Sequence, residues 1–205
     1  MTKLVAVSGT HGCGKSTLLS ELSRVPGFVV DDFKVSRSVQ NEFEMGSLSE
    51  IDTPEKVIKF QNRVLIAKFE NDKRLKDKYS DSRVVFVERS FFDIVVYTLM
   101  WIDQYSDKLL KAWYRNYVLK ILSHQKIYDG GIVVHSHVDI PFEIDPNRAS
   151  LDTRDKFEKT LGDVIYEWGD RHRQPHHHVY VPGLEERVSE VSLFIDYLHQ
   201  RPSVI

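Results

Sequence analysis

The sequence predicts an α/β domain: a central parallel sheet of about five strands with helices on both faces. Three observations support this. Short β-branched apolar runs alternate with longer helical patterns, the order that builds strand–helix–strand units. The strand runs are almost continuously apolar, as strands covered on both faces are. A glycine-rich turn leads straight from the first run into a helix. The 205 residues suit one domain better than two, so residues 1–205 are read as a single unit.

The predicted strands are "KLVAVS" (3–8), "GFVVD" (27–31), "RVVFVE" (83–88), "GGIVVHS" (130–136) and "HHVYVP" (177–182). One helix follows the glycine turn through "KSTLLSELSR". A second starts at Thr53 with Pro54 in its first turn, and Val57, Phe60 and Val64 share its inner face. Others are predicted over 90–104, 106–125 and 152–169, and "LEERVSEVSLFIDYLHQ" forms the last. Residues 140–175 are rich in Asp, Arg and Lys and begin with the proline-broken "IPFEIDPNR". This least core-like stretch is read as an insertion forming a mobile lid over the site.

Composition narrows the function classes. With 41% hydrophobic and 28% charged residues the chain can fill an ordinary core. A formal net charge of −2 disfavours unspecific binding of a polyanion, though it leaves room for a local basic groove. Cys13 is the single cysteine, so no internal disulfide forms and an intracellular, cytoplasmic setting is expected. "LVAVSG" is too short for a secretory segment, and Asp93 interrupts "FFDIVVYTLMWI", so no membrane association is expected.

Residues Gly9, Thr10, His11, Gly12, Cys13, Gly14, Lys15, Ser16 and Thr17 read "GTHGCGKST" and match G-x-x-x-x-G-K-[ST] between a strand and a helix. The glycines let the backbone wrap with its N–H groups inward, and the helix N-terminus adds partial positive charge. Lys15 can then reach the β- and γ-phosphates, and the Ser16 hydroxyl can ligate Mg²⁺. The motif implies ATP with Mg²⁺ and says nothing of an acceptor.

A buried strand ends in Glu88-Arg89-Ser90, and strand ends of an open parallel sheet face the ligand crevice. There a carboxylate can hold Mg²⁺-bound water or take a proton from an attacking hydroxyl, and an arginine can hold phosphate or developing charge. An exposed ion pair closing the strand is the alternative. Arg148 and Arg154 of "DPNRASLDTRDKFEK" could bring cations to the moving phosphoryl group when the lid closes, or could belong to a solvated helix with pairs such as Asp152–Lys156.

The glycine loop, "ERS" and an arginine-bearing lid together resemble P-loop nucleoside and nucleotide kinases. Deoxynucleoside kinases carry a similar acidic-Arg-Ser triplet. Thymidylate-kinase-like and ribosylnicotinamide-kinase-like proteins carry an aspartate and a tyrosine after it, as Asp93 and Tyr97 stand here. The resemblance implies the P-loop three-layer fold, with Glu88 as base or Mg²⁺ carboxylate and Arg89 on the acceptor or its phosphate. Asp93 is implied on the substrate side. Gln61 in "KFQNR" would read the base; otherwise it is a solvated glutamine.

"VVDDFKVSR" implies an acceptor-side carboxylate at Asp31 or Asp32, with Arg37 or Lys34 as its basic companion. The same stretch resembles the acceptor strand of polynucleotide 5′-kinases, with Asp31 as base and Lys34 in an arginine's place. The reading is therefore an ATP-dependent kinase acting on a small nucleoside or nucleotide, with Glu88 or one of the paired aspartates drawing off the proton. A hydroxyl on DNA or RNA is the alternative acceptor, and a nucleotide-switch ATPase the third possibility. A homodimer is left open.

Three other signals are set aside. "HRQPHHH" reads as a polar loop entering the last strand in preference to a zinc site, because adjacent strand residues face opposite ways. Trp101, Tyr105, Trp113, Tyr114 and Tyr117 read as helix packing in preference to a base-stacking platform. Alkylation of Cys13 is expected to block nucleotide binding sterically.

Overall fold

The computed structural model describes residues 2–79, 83–137, 139–140, 151–169 and 174–201. Five strands, β1 (Lys3–Ser8), β2 (Phe28–Asp31), β3 (Val84–Glu88), β4 (Gly130–Val134) and β5 (His176–Val179), form one sheet in the order β2-β3-β1-β4-β5. Every pairing is parallel. The helices are α1 (Lys15–Leu22), α2 (Val35–Glu42), α3 (Pro54–Lys78), α4 (Phe91–Tyr105), α5 (Lys108–Gln125), α6 (Leu151–Val164) and α7 (Leu184–Gln200). A π-helical turn, Ile165–Gly169, continues α6.

Strand β1 explains why its sequence is apolar throughout. Leu4 and Ala6 enter one core with the inner faces of α3 to α6, while Val5 and Val7 enter the other with α1 and α7. β3 splits the same way, Val85 and Val87 against Val84 and Phe86. The period of two is present, but both faces are covered, so it leaves no polar alternation to read.

Thr53 caps α3 as predicted, accepting from the Lys56 amide at 3.3 Å, and Val57, Phe60 and Val64 are buried. Deeper in α3, Lys68 donates to Asp72 at 2.9 Å and the Tyr128 hydroxyl donates to the same carboxylate, fastening the helix to the approach of β4. The stacked pairs Trp101–Tyr105 and Trp113–Tyr117 pack against the larger core, in keeping with helix packing.

Two features differ from the sequence pattern. The pattern assigns no helix between β2 and Thr53, where α2 forms; only Val35 and Val39 of its eight residues are buried, too few to mark a periodicity. Within the 140–175 stretch, α6 is also less peripheral than its charge suggests. In α6, Phe157, Leu161 and Val164 are buried, and Ile165 follows them into the core. Lys156 pairs with Asp103 of α4 at 2.6 Å.

Candidate functional site: the phosphate loop and the end of β3

Residues 9–14 leave β1 and turn back into α1. Gly9 has φ +139°, and a Cβ there would lie 2.3 Å from the Val134 carbonyl oxygen, so only glycine lets the loop pass this close to β4. Gly14, at φ +87°, caps α1 without a side-chain hydrogen bond. The first amides of α1 are thus left to an incoming anion. Ser16 and Thr17 are exposed in this first turn, whereas Thr10 and Cys13 are buried.

Lys15 is buried, 5% exposed, and donates to the Thr10 carbonyl. Burial lowers its pKa, and repulsion from Arg89 adds to this; Cys13, Glu88 and Asp93 act the other way. The lysine therefore lies folded inside the loop against the Thr10 carbonyl.

Direct pairing of β1 with β3, in register Val7↔Glu88, brings the second motif alongside. The Arg89 amide donates to the Val7 carbonyl at 2.9 Å, and its guanidinium donates to the Gly9 carbonyl and to Asp93 at 3.0 Å. Arg89 sits at φ +69°, a left-handed conformation rare for a non-glycine residue and held here by the surrounding bonds. Its guanidinium lies 5.3 Å from the Tyr97 ring centroid and 5.6 Å from that of Phe157, between an α4 and an α6 aromatic.

Asp93 explains the triplet's geometry. Ser90 and Asp93 form a capping box at the start of α4: the Ser90 amide donates to Asp93 Oδ2 at 2.8 Å, and Ser90 Oγ faces the Asp93 amide. Ser8 donates to the same Oδ2 at 2.6 Å. Burial pushes the Asp93 carboxyl up, but Arg89, Ser8 and Ser90 together hold it below the usual value. With 1% exposure it orients Arg89 and ties the ends of β1 and β3 together through Ser8 and Ser90.

Glu88 is half-buried and ion-paired with Lys34, which precedes the first residue of α2. Burial raises its pKa, yet Lys34, Arg89 and Lys15 outweigh it and keep the carboxyl below its ordinary value. Burial pushes the Tyr97 hydroxyl up to about 12. That hydroxyl lies 2.9 Å from His11 Nε2, and its ring 4.7 Å from that of Phe157, so α6 reaches the phosphate loop through one aromatic step.

The remaining predicted residues divide. Asp31 accepts from Asn71 of α3 at 2.8 Å, with Arg74 4.0 Å away, so its carboxylate faces α3. Asp32 and Arg37 are exposed beyond β2, and Lys34 serves Glu88. Gln61 is buried at 3% exposure, which removes the solvated-glutamine reading; its backbone carbonyl accepts from Tyr117. Arg154 lies on α6 with Nε 3.5 Å from Asp155. Arg148 lies outside the described residues. An open cavity of about 450 Å³ between α2 and α3, lined by Phe43, Met45, Lys59 and Phe60 among others, includes no residue of the phosphate loop or the triplet.

Sequence reasoning missed several contributors. Phe157 was hidden in a charged run, and Ser8 looked like the last residue of a strand. His135, just past β4, lies 2.8 Å from both Glu158 of α6 and His178, joining α6 to the ends of β4 and β5. Cys13 is fully buried, with its sulfur 3.6 Å from Lys15 Nζ.

A five-stranded parallel sheet whose first strand opens into this glycine loop, with an acidic-arginine pair at the neighbouring strand end, defines a P-loop α/β domain. The chain belongs to the AAA domain family, whose pattern it matches over residues 4–187. No curated protein matches its sequence.

Among solved structures it is similar to deoxyadenosine kinase from M. mycoides, determined with dCMP and dCDP bound. The identity is 14% and the TM-score 0.66, over 95% of this chain and 99% of that one. It is similar to NadR bound to NAD and AMP-PNP at 15% identity and TM-score 0.66, where all of this chain spans 51% of the other. Thymidylate kinase from Candida albicans aligns at 12% identity and TM-score 0.63, over 96% of this chain and 92% of that one. At these identities the likeness is one of fold.

Proposed function

We propose that this chain is an Mg²⁺-dependent kinase that moves the γ-phosphoryl group of ATP to a nucleoside or nucleotide. The observation that carries this reading is the Val7↔Glu88 register, which sets Glu88 and Arg89 beside the glycine loop. A domain that only bound a nucleotide would need the loop without that pair. The names of two structural neighbours, deoxyadenosine kinase and thymidylate kinase, point the same way.

In this reading Lys15 and the first amides of α1 hold the triphosphate, and Arg89, with an arginine of the α6 region such as Arg154, balances the transferred charge. Ser16 and Glu88 would hold Mg²⁺, since hydroxyl and carboxylate oxygens suit a hard cation. Bound there, Mg²⁺ would neutralise charge on the β- and γ-phosphates. The acceptor lies toward the end of β2, facing Asp32, Lys34 and Arg37. As its oxygen bonds to the γ-phosphorus and the bond to ADP breaks, a hydroxyl acceptor gives its proton to Asp32, or to Glu88 where that carboxylate is not the Mg²⁺ ligand. Asp31, engaged by Asn71, is the weaker choice.

The test is transfer of labelled phosphate from ATP to nucleosides, nucleoside monophosphates, ribosylnicotinamide and DNA. A labelled small product supports the reading. ADP release that no acceptor accelerates would replace it with a nucleotide switch. The exposure of Asp32 and Arg37 beyond the edge strand supports the second reading, a polynucleotide hydroxyl as acceptor. Labelled DNA, with activity falling steeply as salt is added, would select it.

A further inference from the structure

Arg187 stands in the first turns of α7, far from both motifs in sequence, yet its guanidinium is built into the phosphate loop. The residue is 2% exposed. Its Nη1 donates to the Cys13 carbonyl at 2.7 Å, and its Nε donates to the Val181 carbonyl in the β5–α7 loop at 2.6 Å. A Cβ on Gly14 would lie 2.8 Å from Nη1, so loop backbone and guanidinium are in direct contact. Among the described residues Nη2 is buried without a hydrogen-bond partner. Burial also lowers the guanidinium's pKa. Leaving a donor unpaired in the interior is costly, and a residue serving only to fill space would be better apolar.

The two bonds it does make have a geometric consequence. In a trans peptide the carbonyl of one residue and the N–H of the next point in opposite directions. Holding the Cys13 carbonyl against Arg187 therefore aims the Gly14 amide away from Arg187. The second bond ties that peptide plane to the loop after β5.

We propose that Arg187 is a positioning residue for the nucleotide: it fixes the Cys13–Gly14 peptide so that the Gly14 amide meets the phosphate chain, and it couples the phosphate loop to the β5–α7 loop. This rests on the reading of the loop as an ATP site. It makes nucleotide affinity depend on a residue that does not itself touch the nucleotide.

The test compares wild type, Arg187→Met and Arg187→Lys, with Val191→Ala as a control. Val191 is a fully buried residue of the same helix in the α1–α7 core. ATP affinity is read by equilibrium binding, and KM for ATP and for the acceptor by steady-state transfer. Losing one hydrogen bond to a charged group predicts a KM for ATP raised roughly 10- to 100-fold in the Met variant. The lysine, able to serve one carbonyl, should fall between, and KM for the acceptor should stay unchanged. Val191→Ala should lower thermal stability and leave KM for ATP alone.

An unchanged ATP affinity in Met and Lys variants of a functional wild type would overturn the inference and spare the kinase reading. So would a loss that Val191→Ala reproduces. Should Arg187→Met not fold, the Lys variant decides alone. A wild-type chain that does not bind Mg·ATP would overturn both.

Discussion

Asp93→Asn is the sharpest test of how the site is held. The substitution keeps the size of the side chain and removes its charge, leaving the buried Arg89 guanidinium without its carboxylate at 3.0 Å. An amide can present one oxygen either to Arg89 or to Ser8 and Ser90, but the carboxylate serves all of them. Breaking a buried pair by removing one partner costs about 3–5 kcal/mol, a large part of the roughly 5–15 kcal/mol that stabilises a typical domain. For a chain of this size that is a fall in Tm on the order of 6–20 °C.

The acid limb supplies a second readout. Asp93's carboxyl is held below its ordinary value of 3.8, so the stability it contributes is fully present above that value. It is lost as pH falls through the lower folded-state value. Urea melts across this range should therefore be flatter with pH in the Asn variant than in wild type. A loss under about 1 kcal/mol at neutral pH, the worth of a surface pair, would refute the claim that Asp93 holds Arg89 in place.

Two further outcomes are expected. Lys15→Ala should cut transfer by at least about 10²–10³-fold, the scale of one preorganised electrostatic contact, with a melting curve near wild type, because it removes a cation that burial already disfavours. Near-normal turnover would remove the phosphate-cradle reading. Phe157→Ala, at a 2%-exposed site, should cost about 3–5 kcal/mol and let water reach Tyr97. Ultraviolet titration should then show that hydroxyl moving down from about 12 toward 10.0; an unmoved titration would mean that Phe157 does not shield it.

The sheet was legible because its strands are short apolar runs separated by helical patterns, and the glycine loop because its chemistry demands particular residues in sequence. α2 was not, since two buried valines in eight residues carry no periodic signal. α6 read as a charged flap because Phe157 and Leu161 are sparse among Asp, Lys and Glu, although they decide which side is buried. At the site, Glu88 and Arg89 could be found from the strand end that carries them. The orientation of Asp31 toward Asn71, forty residues on, could not, because that contact exists only once α3 has crossed the sheet. Arg187 was equally silent: its partners are backbone carbonyls, which leave no residue-type signature.

The adjacency of β1 and β3 also limits how such a domain can change. Glu88 and Arg89 share a backbone ladder with the loop they face, so altering either side disturbs the other. Asp32 and Arg37, exposed past the edge strand, carry no such obligation to the centre of the sheet. If the proposed kinase reading holds, a new acceptor preference would be introduced most readily there, by recasting that margin while residues 8–16 and 88–93 are left intact.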